Sequence, residues 1–89
     1  MAEVLSYKLI IERKAEKEAY RVPSHLRAVI DKAILKLALN PRPRGCKKLT
    51  EKEGYRIRIG DYRILYVIDD KAKVVVIYRI KIKSKIIYK

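Results

Sequence analysis

Residues 54–68 read GYRIRIGDYRILYVI, and no other stretch restricts the fold so strongly. Apolar and polar side chains alternate on both sides of Gly60-Asp61, the pattern of two strands that each bury one face. Glycine first in a two-residue turn is the arrangement a type II′ hairpin favours. That turn sets Ile59 opposite Tyr62, Arg58 opposite Arg63 and Ile57 opposite Ile64, with arginines on one face and isoleucines on the other. A three-residue loop Asp70-Lys71-Ala72 then predicts a third strand, pairing Val67 with Val75, Leu65 with Ile77 and Arg63 with Arg79. The expected outcome is a row, Arg58, Arg63, Arg79, across three strands. The same parity adds Arg56, Lys81 and Lys83 to that face and turns Val74, Val76, Tyr78, Ile80 and Ile82 inward.

Like charges on neighbouring strands cost up to about 1 kcal/mol per pair unless an anion lies over them. The whole chain has the same bias, with 23 Lys and Arg against 10 Asp and Glu, a formal charge of +13 on 89 residues. Self-repulsion on that scale calls for a polyanionic partner: nucleic acid, an anionic membrane surface or an acidic protein. Beside the cations, Leu65, Val67, Val75 and Ile77 are expected on the same open face. Such a patch marks a site for a protein partner, a C-terminal segment or a dimer mate.

The first half has a different period. Val4 to Ile11 is β-favouring and loosely alternating, a first strand. From Glu12 to Arg21, Ile11, Ala15, Ala19 and Val22 fall at helical spacing until Pro23 stops the run. Ser24 then offers an N-cap to a second helix with the stripe Leu26, Val29, Ile30, Ala33, Ile34, Leu37. The tight Val22-Pro23-Ser24 link makes the two a hairpin. Asn40-Pro41-Arg42-Pro43-Arg44-Gly45 is a loop, and Lys47 to Thr50 a short strand before Tyr55–Ile59, Tyr62–Ile68 and Val74–Lys83. The predicted architecture is one α+β domain over 1–89, β-α-α-β-β-β(-β), an antiparallel sheet with a helical hairpin on one face and a basic open face on the other.

Other classes recede. The longest apolar run, Val74 to Tyr78, is too short to cross a bilayer and the start carries no cleavable signal, so a cytoplasmic location is expected. One cysteine, Cys46, and one histidine, His25, are too few soft ligands for zinc, and no metal or cofactor is expected; Cys46 reads as a loop residue and His25 as a first-turn helix residue. Absence of Gln, a single Asn and abundant Ile, Lys and Glu lean toward a thermophilic source.

The helix pair, the Asn-Pro-Arg-Pro loop leading to Lys-Leu, the run Tyr-Arg-x-Arg-x-Gly-Asp-Tyr-Arg-x-x-Tyr and the terminal Tyr88 together resemble the RelE/ParE superfamily of toxins from bacterial and archaeal toxin-antitoxin pairs. The likeness spans nearly the whole chain. It implies a small α+β toxin neutralised by an antitoxin that wraps around it. In the RelE branch it implies an endoribonuclease that cuts messenger RNA in the ribosomal A site, using the ribose 2′-hydroxyl as nucleophile and leaving a cyclic phosphate. With no catalytic histidine and no metal cluster, such an enzyme works by positioning and by cations that stabilise charge on phosphorus.

Carried over by position, Arg63 matches the arginine that holds the scissile phosphate and Tyr88 the tyrosine that stacks on or orients a base. Arg56 and Arg58 stand where the ribonucleases have lysines. Arginine is no base, so these two are expected to bind phosphate and stabilise charge. Where the family has an arginine as general acid, Lys81 or Lys83 would serve, or Lys85. The resemblance thus implies a catalytic set of Arg56, Arg58, Arg63, Lys81 and Tyr88. The RNA-binding set is Arg79, Lys83, Lys85, Lys47 and Lys48, and the antitoxin-binding set Leu65, Val67, Val75 and Ile77. Expected partners are a cognate antitoxin, the ribosome and messenger RNA. The alternatives are a ParE-like toxin that binds DNA gyrase without nuclease activity, a basic RNA- or ribosome-binding module without catalysis, and a weakened toxin whose chief interaction is with its antitoxin.

Overall fold

The computed structural model describes residues 6–50 and 53–82. Strand β1 (Lys8–Ile11) leads into helices α1 (Arg13–Tyr20) and α2 (Ser24–Leu39). Strands β2 (Lys47–Lys48), β3 (Tyr55–Ile59), β4 (Tyr62–Asp69) and β5 (Val74–Ile82) follow. They form one five-stranded sheet in the order β1-β5-β4-β3-β2. The α+β architecture is as the periodicities predict. The sheet is mixed, however, because β1 lies parallel to β5, Lys8 opposite Val74 through Ile11 opposite Ile77. The two intervening helices supply the crossover that a parallel pair needs.

Apolar spacing explains the core. Ala15 and Val22 from the α1 segment, Ile30, Ile34 and Leu37 from α2, and Ile57, Ile64, Tyr66, Val75, Ile77 and Ile80 from the sheet form one buried cluster. α1 lies against β5, and α2 reaches from β1 to β3. Val29, expected in the buried stripe, is instead half exposed. Ser24 is the first helical residue rather than the cap; Pro23 occupies the cap position and no side chain bonds there. The link between the helices is closed instead by Arg27, whose guanidinium donates to the Tyr20 carbonyl at 3.0 Å and the Val22 carbonyl at 3.4 Å. It thereby serves acceptors that the end of α1 leaves unpaired.

The hairpin register is as predicted from Ile59 opposite Tyr62 to Ile57 opposite Ile64. Gly60 has φ +60°, and Asp61 stays at negative φ, as a type II′ turn requires. The β4–β5 connection differs. Its loop has four residues, Asp70 to Lys73, with Lys73 at φ +60°, and Asp69 pairs with Val74. A bulge between Leu65 and Tyr66 then shifts the ladder by one more residue. Tyr66 faces Ile77 whereas Leu65 faces Arg79, so Tyr78 is the extra residue of β5. An inserted residue reverses which side chains face the core on either side of it.

The Asn-Pro-Arg-Pro loop is pinned to the end of the sheet where β4 turns into β5. Buried Tyr66 donates its hydroxyl to the Pro41 carbonyl at 2.7 Å, and its ring stacks on Tyr55. Burial pushes the Tyr66 phenol well above its ordinary pKa. Arg42 donates to both Asp70 carboxylate oxygens, at 3.3 and 3.0 Å, and to the Tyr55 hydroxyl. Tyr7 donates to Asp70 as well, at 2.8 Å. No helix among the described residues is long and apolar enough to cross a membrane.

Two measurements test this framework. Gly54 has φ +124°, and a Cβ there would meet the Tyr66 carbonyl oxygen at 2.8 Å. Gly54→Ala is therefore expected to destabilise by about 2–4 kcal/mol in urea unfolding, from backbone strain plus the clash. Hydrogen bonds from Arg42 and then Tyr7 hold the Asp70 carboxyl below its ordinary 3.8. Its contribution is present above that value and lost as pH falls through the lower folded value. The melting-temperature gap between wild type and Asp70→Asn should close as pH drops below about 4.

Candidate nucleic-acid interface

The helices cover one face of the sheet, and the other carries the cations. Arg58 opposes Arg63, and Arg63 opposes Lys81, so one row runs across β3, β4 and β5. A second row runs Lys47, Arg56, Leu65, Arg79 across β2 to β5. Neighbouring strands lie about 4.8 Å apart, which sets the cations of a row side by side. Among the described residues, none of Lys47, Arg56, Arg58, Arg63 and Lys81 has an ion pair within the chain. The Arg63 Nε is buried and finds no hydrogen-bond partner there.

Arg79 does not belong to the first row. It lies two residues out of the expected register because the four-residue loop and the bulge each contribute one. It is also neutralised: its Nε and terminal nitrogen contact Glu18 of α1, each at 2.9 Å. The other Glu18 oxygen accepts the Ile80 backbone N–H at 2.7 Å. Among the described residues β1 ends its pairing at Ile77 and no strand pairs with that edge of β5 beyond it, where this one carboxylate accepts the Ile80 N–H instead. Sequence reasoning passed over Glu18 as one charge among many on α1. Only the position of α1 along β5 distinguishes it.

The open-face apolar patch also changes. Val75 and Ile77 are fully buried in the core, on the helix side of the bulge, and are not available to a partner. Val74 and Val76, expected to face the helices, are only partly buried, and Ile82 is exposed, whereas Ile80 is buried as expected. Leu65 and Val67 keep the expected face. Val76, paired with Val67, takes the place of the lost pair, and Ile10 of β1, 41 % exposed, lies beside Val76. Val67, Val76 and Tyr78 line a shallow hollow with Glu12 and Glu53. Lys48 pairs with Tyr55, whose ring stacks on the core tyrosine, so the pleat turns Lys48 away from the cation rows. Cys46 lies in the turn before β2, partly buried, and His25 is exposed in the first turn of α2. Lys83, Lys85 and Tyr88 lie outside the described residues. Among the described residues no cluster of His, Cys, Asp or Glu could hold a metal ion.

The fold has close counterparts. The toxin-antitoxin complex RelBE2 of Mycobacterium tuberculosis matches with a TM-score of 0.77 and 28 % identity, over 88 % of this chain and 99 % of that one. The archaeal RelE–RelB complex of Pyrococcus horikoshii matches with a TM-score of 0.76 and 26 % identity, over 90 % of this chain and 98 % of that one. The isolated RelE toxin of E. coli shares the fold, with a TM-score of 0.77 at 23 % identity over 89 % of this chain and 86 % of that one. No curated protein matches the sequence. The family model for the ParE toxin of type II toxin-antitoxin systems matches residues 9–87. With that model spanning nearly the whole chain, the protein belongs to the ParE toxin family, within the RelE/ParE superfamily of type II toxins.

Proposed function

We propose that the chain is a ribosome-dependent messenger RNA endoribonuclease of the RelE kind, kept silent by a cognate antitoxin seated on the apolar end of its open face. The observation that carries this reading is the row Arg58, Arg63, Lys81, set by register and lacking any carboxylate from the described chain. Arg63, with a cation on either side, holds the scissile phosphate in this reading. Arg58 and Arg56 hold the phosphate oxygens as negative charge builds on them. The RNA's own 2′-hydroxyl attacks phosphorus, the bond to the 5′-oxygen breaks, and a cyclic phosphate and a 5′-hydroxyl remain. Lys81 gives its proton to the departing oxygen. Guanidinium groups are not bases, so the proton of the 2′-hydroxyl passes to water. Tyr88 is assigned to base stacking and Lys83 and Lys85 to the RNA backbone, with Lys47 at the far end of the second row. Leu65, Val67, Val76 and Ile10 are the apolar contacts offered to the antitoxin.

A second reading has its own support: the row Arg58, Arg63, Lys81 contains no carboxylate and no histidine to act as base, and the family model is that of ParE. On that reading the same surface binds DNA gyrase and cuts nothing. Two assays separate them. Purified protein added to translating ribosomes should yield message cut at the A site, and Arg63→Ala should lower the yield by about 100-fold or more without changing the melting temperature appreciably. Blocked gyrase supercoiling with uncut message would replace the first reading by the second.

A further inference from the structure

The sheet rows hold only part of the positive charge, and α1 holds a second concentration of it. Arg13, Lys17 and Arg21 succeed one another at i, i+4 and i+8, with Lys14 beside them, on a helix of eight residues and its C-cap. All four are exposed. Like charges four apart weaken a helix, and one this short has little stability of its own to spare. The four line a common hollow together with Glu18. Glu18 is the residue bonded to the free edge of β5, so the basic side of α1 is the side that borders that edge. A second cleft begins there, where Glu18 and Arg21 meet Arg79, Lys81 and Tyr62. Lys81 is the last member of the sheet row. Cations therefore continue from Arg58 and Arg63 across Lys81 and around the edge of β5 onto α1.

We infer that this α1 ridge is a second RNA-binding surface, one that grips the phosphate backbone of a double-helical segment while the sheet row holds a single strand. The inference rests on the sheet row being an RNA site, and it adds a contact that the cleavage reading does not use. Chemistry favours backbone over bases. Arg and Lys here offer donors and charge, no acceptor and no aromatic face lies among the four, and paired RNA is recognised largely through shape and phosphates. Of the two acidic residues of α1, Glu18 is engaged by Arg79 and Ile80, and Glu16 lies on the flank of the cation stripe next to Arg13, so one carboxylate stands against four exposed cations. None of Arg13, Lys14, Lys17 and Arg21 is apolar, so the four have nothing to insert into a lipid surface.

The experiment measures binding of the full chain to an RNA duplex of about 16 base pairs and to a single strand of the same length, across a salt titration. Arg13→Gln/Lys17→Gln/Arg21→Gln should weaken duplex binding at least about tenfold and reduce the slope of log K against log salt by about 2 to 3, leaving single-strand binding nearly unchanged. Lys17→Gln alone should reduce the slope by about 1. Arg58→Gln should show the converse, with the single strand weakened and the duplex spared. If the α1 variants keep wild-type duplex affinity and slope while Arg58→Gln loses the single strand, the ridge proposal falls and the sheet reading stands. If the α1 variants behave as expected and Arg58→Gln changes nothing, the ridge binds RNA and the sheet reading falls. Wild-type protein that binds neither RNA, or α1 variants that lose affinity only for polyglutamate, would overturn the proposal in favour of an acidic protein partner.

Discussion

The pairing of β4 with β5, interrupted by one extra residue at Tyr78, is the constraint on which the rest of the molecule depends. On one side of that residue the odd-numbered positions of β5 face outward, which brings Lys81 beside Arg63. On the other side they face inward, which sinks Val75 and Ile77 into the core against Leu9 and Ile68. A single inserted residue thus divides one sheet face into a cationic half and an apolar half. A straight ladder would give both halves the same parity, leaving Val75 and Ile77 outside and the core short of two aliphatic side chains. Bulges concentrate where a sheet must re-aim side chains for use, and this one lies at the border between the two surfaces.

The acidic residues show how a chain so rich in positive charge organises itself. Asp70 holds Arg42 at the loop end of the sheet, and Glu18 holds Arg79 at the edge of β5. Each carboxylate secures an arginine with an architectural task, closing a loop or sealing a strand edge. Neither reaches Arg58, Arg63 or Lys81. Among the described residues, Coulomb attraction inside the chain is used where it fixes geometry.

What could be read from residues alone follows from which interactions are local. The hairpin at Gly60-Asp61 was legible because a two-residue turn determines the register of both strands, and Arg58 opposite Arg63 followed directly. The helices were legible from their apolar spacing, and the likeness to a toxin superfamily from the tyrosine-arginine run. The β4–β5 register was not. Lys73 adopts a left-handed conformation that nothing in Asp-Asp-Lys-Ala-Lys demands, and the bulge has no glycine to announce it. Those two features moved Arg79 out of the row and removed Val75 and Ile77 from the open patch. Glu18 and Arg42 were missed for a related reason: their partners lie far along the chain, and distance in sequence leaves no periodic trace.

The placement of β1 has a kinetic consequence. It is the first described strand to leave a ribosome, yet among the described residues its neighbour in the sheet is β5, the last described strand. Lys8 meets Val74 only after nearly every intervening residue has been synthesised, and such distant closures are entropically slow. Until then Glu18 has no strand to seal and Arg63 no lysine beside it. Nascent fragments that stop short of β5 are consequently incomplete in both core and cationic surface, and a cell making this protein meets neither until translation has passed that strand.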